Sequence, residues 1–265
     1  MNNEKYINLI SETKLVGDWT VPVKDILISR KIDDSPLGDI KYEKHLRSFI
    51  LDGIIKKRVF LDVGANIGIW SLPMSSHFEK VIAFEPDSRN MHCLERNTNG
   101  IKNIEYRNFG LGDRNELTVI RQCYKNCGNS YVLPPKNIAI EEVLEDRSRV
   151  KVRVLPPHKD NGKSFYASAI DMKTIDSLEI QDVDLIKIDT QGHELQVLKG
   201  AKNTIIRHMP WICFELGERK HMKNGYSDAD IIRFLKGIGY DVCKMSKTDC
   251  IMAPIEDALR CSRSA

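Results

Sequence analysis

Arg58-Val59-Phe60-Leu61-Asp62-Val63-Gly64-Ala65-Asn66-Ile67-Gly68 is the stretch on which the reading of this chain turns. Val59, Phe60, Leu61 and Val63 form a β-rich apolar run that breaks at Gly64, and a helical pattern begins just beyond it. A strand, a tight turn and a helix N-terminus form the local architecture of nucleotide-cofactor sites in α/β domains. Asp62 is expected at the strand's end, facing the ligand. An ordinary βα turn that contains glycines would read the same over these residues alone, so the surrounding segments decide.

The next apolar run, Lys80-Val-Ile-Ala-Phe-Glu-Pro-Asp87, reads as a short buried strand ending in an acid. Glu85 follows Asp62 at roughly the twenty-residue spacing that puts an acid at the tip of the neighbouring parallel strand, where it can accept hydrogen bonds from a ribose diol. It would equally serve as a solvated strand-end acid or as the acid before a helix over Ser88–Asn97. The preceding turn favours the ribose. A dinucleotide turn wants glycine at its first, third and sixth positions, which here hold Gly64, Asn66 and Ile69. Asn tolerates left-handed backbone, so the turn survives, but close approach of a pyrophosphate is disfavoured. S-adenosylmethionine has a ribose and an adenine but no phosphate. Its amino-acid part can meet Asp62 through the ammonium, and Gly64 and Gly68 through close backbone approach.

Composition sets the bounds. The 265 residues suit one large α/β domain with additions, and 42% hydrophobic with 29% charged residues is ordinary globular usage. The formal charge of +3 is the small difference between 40 basic and 37 acidic residues and implies no polyanionic partner. The start, Met-Asn-Asn-Glu-Lys-Tyr, lacks a signal-peptide pattern, and no run approaches the ~18 apolar residues of a membrane span, so a cytoplasmic protein without a span is expected. The seven cysteines are odd in number and lack framework spacing, which predicts mostly reduced thiols. Cys123 and Cys127 form one close pair with no second Cys or His pair to complete a zinc site, so no metal ligands are assigned.

Three ordered blocks carry a resemblance: Asp-Val-Gly-Ala-Asn-Ile-Gly (62 to 68), Phe-Glu-Pro (84 to 86), and Lys-Ile-Asp-Thr-Gln-Gly-His-Glu (187 to 194) with Val-Leu-Lys-Gly-Ala (197 to 201). Together they resemble the FkbM family of methyltransferases over about residues 58 to 216. The resemblance implies an α/β, Rossmann-like class I methyltransferase fold with a mostly parallel seven-stranded sheet and helices on both faces. It implies S-adenosylmethionine as cofactor and, usually, O-methylation. Asp62, Gly64, Ala65, Asn66 and Gly68 would line the methionine end, Glu85 with Pro86 the ribose, and Gly112 and Asp113 the adenine. Asp113 could instead be a turn acid before Leu117–Ile120. The polar run Asn126-Cys-Gly-Asn-Ser130 resembles an element that the family places near the active site, which makes Asn129 and Ser130 candidate substrate contacts.

The remaining segments are read around that frame. Residues 1–57 are expected to cap the sheet, with one amphipathic helix in Tyr42–Ile55 and a turn at Asp33–Gly38; residues 58–265 form the methyltransferase domain. Ile67–Phe78 reads as a helix in which Pro73 lies in the first turns or makes a kink, and Asn103–Gly110 reads as the third strand. Residues 121–169 loosen into a substrate-recognition insertion, with a helix over Ile138–Leu144, a strand over Val150–Val154 and a turn at Asn161-Gly162. Lys151, Arg153, His158, Lys159 and Lys163 would meet an anionic substrate or form a solvated loop. Val183–Ile188 reads as the fourth core strand, with Lys187 and Asp189 at its end. A helix over Gly192–Arg207 follows and stops before Pro210. Trp211–Glu215 is the next strand, Ser227 caps a helix over Asp228–Lys236, Tyr240–Met245 and Cys250–Ala253 close the sheet, and Ile255–Ala265 is peripheral.

Methyl transfer needs an acceptor oxygen held against the methyl and a group to take its proton. Asp189 is the first candidate, as base or as a substrate or metal ligand, with Lys187 beside it and Glu215 on the next strand. His193 at a helix N-terminus would be neutral and basic, but the family commonly has a non-ionisable residue there, which favours packing or capping. Glu194 is a further candidate base or substrate contact. Gln191 stands where many members have Glu, which weakens any scheme that needs a carboxylate there. The expected activity is S-adenosylmethionine-dependent O-methylation of a sugar, glycan or small metabolite. RNA ribose 2′-O-methylation is an alternative that the charge balance and the lack of a basic aromatic stripe disfavour. An inactive cofactor-binding module is another, and a nicotinamide dehydrogenase is disfavoured by Asn66 and Ile69.

Overall fold

A computed structural model describes residues 12–32, 35–37, 39–123, 125–133, 138–143, 150–154, 164–217, 221–222 and 224–263. The chain opens with an antiparallel hairpin, β1 (Thr13–Val16) and β2 (Trp19–Pro22), followed by helices α1 (Leu27–Ile32) and α2 (Lys44–Gly53). The amphipathic spacing of α2 buries Leu46, Arg47 and Ile50, and the Arg47 guanidinium donates to the carbonyls of Ile40 and Tyr42. Then come β3 (Val59–Val63), α3 (Ser71–Ser75), β4 (Lys80–Phe84), α4 (Ser88–Asn97) and β5 (Ile104–Arg107). After an intervening sheet follow β12 (Val183–Ile188), α5 (Glu194–Gly200), α6 (Lys202–His208), β13 (Trp211–Glu215), α7 (Asp228–Lys236), β14 (Tyr240–Met245), β15 (Asp249–Pro254) and α8 (Ile255–Arg263).

The central sheet has the order β14-β15-β13-β12-β3-β4-β5, all parallel except β15, which runs against both of its neighbours. This is the mostly parallel seven-stranded sheet that the sequence resemblance implies. The chain winds one way from β3 to β5 and the other way from β12 onward, so the strand order reverses between β3 and β12. A crevice opens at the carboxyl ends of strands at such a point. Successive strand residues enter opposite cores: Phe60, Val81, Ala83 and Leu185 lie on one face, and Leu61, Val63, Ile82, Phe84, Ile186 and Ile188 on the other. Burial on both faces is why these strands read as near-continuous apolar runs. The hairpin's Trp19 and Val21 share the first core with Phe60, and Asn97 of α4 ties Thr20 to the carbonyl of Ile67.

A second sheet fills the connection between β5 and β12. It comprises β6 (Gly110–Leu111), β7 (Glu116–Arg121), β8 (Tyr131–Val132), β9 (Ile138–Val143), β10 (Val150–Val154) and β11 (Ser164–Lys173), in the order β8-β7-β11-β10-β9, with β6 parallel to β11. The helix expected over Ile138–Leu144 is therefore strand β9, paired antiparallel to β10. A short apolar run is compatible with either state, and pairing to an alternating neighbour decides it.

Other boundaries also differ. The helix expected over Ile67–Phe78 shrinks to α3 behind a turn, with Pro73 in its first turn, where no backbone donor is needed. Gly192–Arg207 splits at Ala201 into α5 and α6. A Cβ on Gly200 would sit 1.9 Å from the Gly112 carbonyl oxygen, so α5 meets the turn after β6 through bare backbone. The tail is not merely peripheral: α8 packs on β14 and β15, and Asp257 accepts from the Trp211 indole at 2.8 Å. Asp33, Asp34, Gly38, His158, Lys159, Asn161, Gly162 and Lys163, and the side chains of Lys151 and Arg153, lie outside the described residues. Among the described residues no helix is long and apolar enough to cross a membrane.

Candidate functional site

The tips of β3, β4 and β12 form the floor of one cleft, lined there by Val63, Gly64, Ala65, Asn66, Phe84, Glu85, Pro86, Lys187 and Asp189. The turn after β3 is satisfied internally: Gly64 and Ala65 both donate N–H to the Phe84 carbonyl, at 2.9 and 3.0 Å. Gly64 has φ +79, and a Cβ there would lie 2.0 Å from the Asp189 carbonyl oxygen. Its glycine is thus required by the neighbouring strand's main chain. Asn66 takes left-handed backbone at φ 53 and donates its N–H to Glu85 Oε2 at 2.9 Å. Gly68 does not line the cleft; its missing Cβ admits Leu94 of α4.

Asp62 is not on the cleft wall either. Leu61 and Val63 face one core, so strand alternation turns Asp62 to the opposite face, where Ser71 Oγ donates to Oδ2 at 2.6 Å. Oδ1 has no partner among the described residues. Burial raises the Asp62 pKa against the opposing Lys187 charge and Ser71 bond.

Glu85 ends β4 as expected and is 5% exposed. Asn66 N–H and Asp87 N–H each donate to one of its carboxyl oxygens. Burial, and then the Asp87 charge, push its pKa up to about 8. Asp87 caps α4 and binds Arg89 at 2.6 Å, Gln122 at 3.0 Å and Ser130 Oγ at 3.2 Å. Asn129 and Ser130 line the cleft, and the Ser130 hydroxyl ties this roof segment down to Asp87. The cap pins the same roof from the other side: Asp25, wholly buried, accepts from Cys127 N–H at 2.7 Å, and Ile26 donates to the Lys125 carbonyl. Asn90 of α4 lines the cleft and donates from Nδ2 to the Cys127 carbonyl at 3.1 Å.

The other end of the cleft gathers Lys187, Asp189, Gln191 and Glu215. Lys187, 7% exposed, lies 3.3 Å from Asp189 Oδ2. Burial opposes its charge, but the Asp189, Asp62 and Glu43 carboxylates outweigh it and raise the Lys187 pKa. Gln191, in left-handed backbone at φ 56, donates from Nε2 to both Asp189 Oδ1 and Glu215 Oε2. The cap adds Lys31, Tyr42 and Glu43 to this end, and Glu43 accepts from the Trp70 indole at 2.7 Å. Their segment gives no sequence signal of this role, because only the fold brings residues this far from β12 in sequence to the same cleft.

Four expected contacts sit away from these two ends. His193 lines the cleft beside Gly112 and Met172, on the β6 side, where burial lowers its pKa. Gly112 packs against His193 and α5 outside the cleft lining, and Asp113 is exposed and paired to Arg114. Glu194 is wholly buried beneath the 189–192 loop, accepting from Thr190 N–H, Gly192 N–H, His221 Nε2 at 2.8 Å and Tyr226 hydroxyl at 3.2 Å. Burial works to raise its pKa, but His221 and the backbone donors prevail and lower it. His221, missed from sequence, bridges Glu194 to Asp228 across two elements. Among the described residues no group of His, Cys, Asp and Glu could hold a metal ion.

Comparison with known proteins meets this geometry from outside. Methyltransferase sdnD of Sordaria araneosa is 32% identical over 158 residues, 53% of this chain and 59% of that protein. AMB antimetabolite synthetase AmbE of Pseudomonas aeruginosa is 28% identical over 199 residues, 64% of this chain and 9% of that protein. The chain thus spans less than two thirds of the length of the curated relatives it matches. A crystal structure of methyltransferase FkbM from Methylobacillus flagellatus KT is 17% identical with a TM-score of 0.46, covering 82% of this chain and 48% of that one. The methyltransferase FkbM domain model matches residues 62–242, from Asp62 in β3 into β14. With more than half of its length so matched, the chain belongs to the FkbM family of methyltransferases.

Proposed function

We propose that the cleft binds S-adenosylmethionine and that the chain transfers its methyl group to a hydroxyl of a sugar, glycan or other small metabolite. The observation that carries the reading is the placement of Glu85 and Asp189 on strand tips on either side of β3, facing one cleft at the point where the strand order reverses. The residues present suit the cofactor. Glu85 keeps lone pairs for a ribose diol, and Phe109, Leu111 and Met172 offer an apolar wall for a base ring. A relative named an antimetabolite synthetase supports a small-metabolite acceptor.

When bound, S-adenosylmethionine supplies an electrophilic methyl. The chain's task is to orient an acceptor oxygen in line with that methyl and to take its proton. Asp189 is the proposed proton acceptor. Lys187 Nζ lies 3.3 Å from one of its oxygens and Gln191 Nε2 donates to the other at 2.6 Å, so its orientation is set before an acceptor arrives. Glu215, sharing the Gln191 amide, and Glu43 and Tyr42 from the cap are proposed to contact the acceptor. Calorimetric titration with S-adenosylhomocysteine should show binding that Glu85→Ala abolishes. Transfer of labelled methyl to a panel of hydroxylated sugars and metabolites should fall about 10²–10⁴-fold in Asp189→Asn. No binding by the unmodified chain, or full binding by Glu85→Ala, would refute the reading.

A further inference from the structure

Next to Glu85 the cleft wall turns apolar. Asn108 Nδ2 donates to the Glu85 carbonyl at 2.7 Å, which sets the following Phe109 beside it, and Phe109 packs edge-on against Phe84 with ring centres 5.7 Å apart. Phe109, Leu111 and Met172 line the cleft, and a base carried by a ribose at Glu85 would lie along them. Such a wall packs on the face of a ring and leaves its polar edge unmet. Asp113, the acid expected at that edge, is exposed and paired to Arg114, and the Gly112 N–H is taken by the Lys173 carbonyl at 2.9 Å. Thr190, which also lines the cleft, donates its hydroxyl to Glu194 at 3.2 Å.

His193 is the polar side chain beside this wall. A Cβ on Gly112 would lie 2.9 Å from Met172 Cε and 3.1 Å from His193 Nε2, so the bare backbone of Gly112 makes room for both. The imidazole lines the cleft, is half-buried, and makes no hydrogen bond among the described residues. The described polar side-chain atoms that lack a partner and are sealed from solvent belong to Asp62, Asn90, Gln196 and His208, so both His193 ring nitrogens stay reachable. Burial lowers the His193 pKa, which leaves the ring neutral at neutral pH with one donor and one acceptor nitrogen.

We propose that His193 reads the base of the adenosyl cofactor, its unprotonated ring nitrogen accepting a hydrogen bond from the exocyclic amine of adenine while Phe109, Leu111 and Met172 pack on the ring. The inference rests on the reading of the cleft as an S-adenosylmethionine site. An amine desolvated against an apolar wall without an acceptor costs about 1–3 kcal/mol, and a neutral imidazole supplies that acceptor. His193 is thereby a specificity-determining residue for the cofactor. Proton removal stays with Asp189, which is held by Lys187 and Gln191.

The test is calorimetric titration of the full chain and of His193→Leu with S-adenosylhomocysteine and with its counterpart in which unsubstituted purine replaces adenine. The substitution is expected to weaken S-adenosylhomocysteine binding roughly five- to fifty-fold. It should leave binding of the purine counterpart unchanged, because that ligand lacks the amine that the imidazole receives. Equal losses toward both ligands would assign His193 a packing role and overturn the proposal, as would an undiminished affinity for S-adenosylhomocysteine. Binding that Glu85→Ala abolishes and His193→Leu leaves intact overturns the role of His193 alone. No binding by the unmodified chain overturns the cofactor reading beneath it. Should His193→Leu fail to fold, a crystal structure of the unmodified chain with S-adenosylhomocysteine decides: one His193 ring nitrogen is expected within about 3.2 Å of the exocyclic nitrogen, and a position of both beyond that distance overturns the proposal.

Discussion

Glu85 lines the cleft and Glu194 lies wholly buried beneath its 189–192 loop, and the two buried glutamates behave in opposite ways. Glu85 has two backbone donors and a neighbouring acid, and its carboxyl is pushed up to about 8. Glu194 has backbone donors, a tyrosine hydroxyl and His221, and its carboxyl is held below the ordinary value despite complete burial. Burial alone therefore predicts neither state; the partners decide. The Glu194 region is complete without a ligand and reads as scaffold beneath the 189–192 loop. The Glu85 region lies on the cleft wall, with a carboxyl that favours its neutral form. Such a region is one that a hydroxyl-bearing ligand would complete.

The comparison breaks most directly at Glu194. Replacing it with Ala strands His221 between fewer partners in the interior, and loss of one member of a buried ion pair costs about 3–5 kcal/mol. Denaturant unfolding should show that loss; a drop under ~1 kcal/mol would mean that the Glu194 cluster is not the scaffold described. Glu85→Gln should do the reverse. Stability of the ligand-free chain is expected to hold or rise, since a neutral side chain replaces an acid in a site that disfavours charge, while S-adenosylhomocysteine affinity falls by about 1–3 kcal/mol. Equal damage to both properties would erase the distinction between the two regions.

A change of pH sharpens it further. A ribose diol donates to the carboxylate form, so binding below about pH 8 must expel the Glu85 proton. Affinity should strengthen as pH rises toward 8, by at most about tenfold per unit, and level off above it. Titrations in buffers of different ionisation enthalpy should report proton release at pH 7, and an affinity that is flat in pH would remove Glu85 from the ribose. For the ligand-free fold the sign is opposite. The native state keeps a proton on Glu85 that the unfolded chain loses near 4.5, so stability from this group is full below 4.5 and declines until about pH 8. His221, raised by Glu194 and Asp228 against its burial, adds stability that is likewise lost as pH climbs through its raised pKa. Ligand should recover the first loss and not the second. The smallest effect is expected from Ser130→Ala, which removes one 3.2 Å bond between the roof and Asp87 and should weaken S-adenosylhomocysteine by about 0.5–1.5 kcal/mol, read by the same titration.

The sheet and the strand-tip acids were legible because the signals are local. Val59–Val63, Lys80–Phe84 and Val183–Ile188 are near-continuous apolar runs, and Glu85 and Asp189 fall where those runs end. Asp62 lies outside the cleft lining, wholly buried with Ser71 on its carboxyl and Lys187 near it, an engagement that no local pattern in Val59–Gly68 reveals. Ile138–Val143 was misread because its state is settled by β10, a partner that periodicity within the segment does not reveal. Glu43, Asn90 and His221 were invisible for a further reason. Each acts through an element distant in sequence: Glu43 through Trp70, Asn90 through Cys127, and His221 through Glu194.

The bare Cα of Gly64 rests against the Asp189 carbonyl, where even a methyl group would collide. On the proposed chemistry, the cofactor lies along one side of that contact and the proton acceptor stands on the other. The spacing between donor and acceptor is then gauged by main chain against main chain, a mechanical stop that no side-chain rotamer can loosen. A residue that begins as a turn former thereby becomes the ruler of the reaction trajectory.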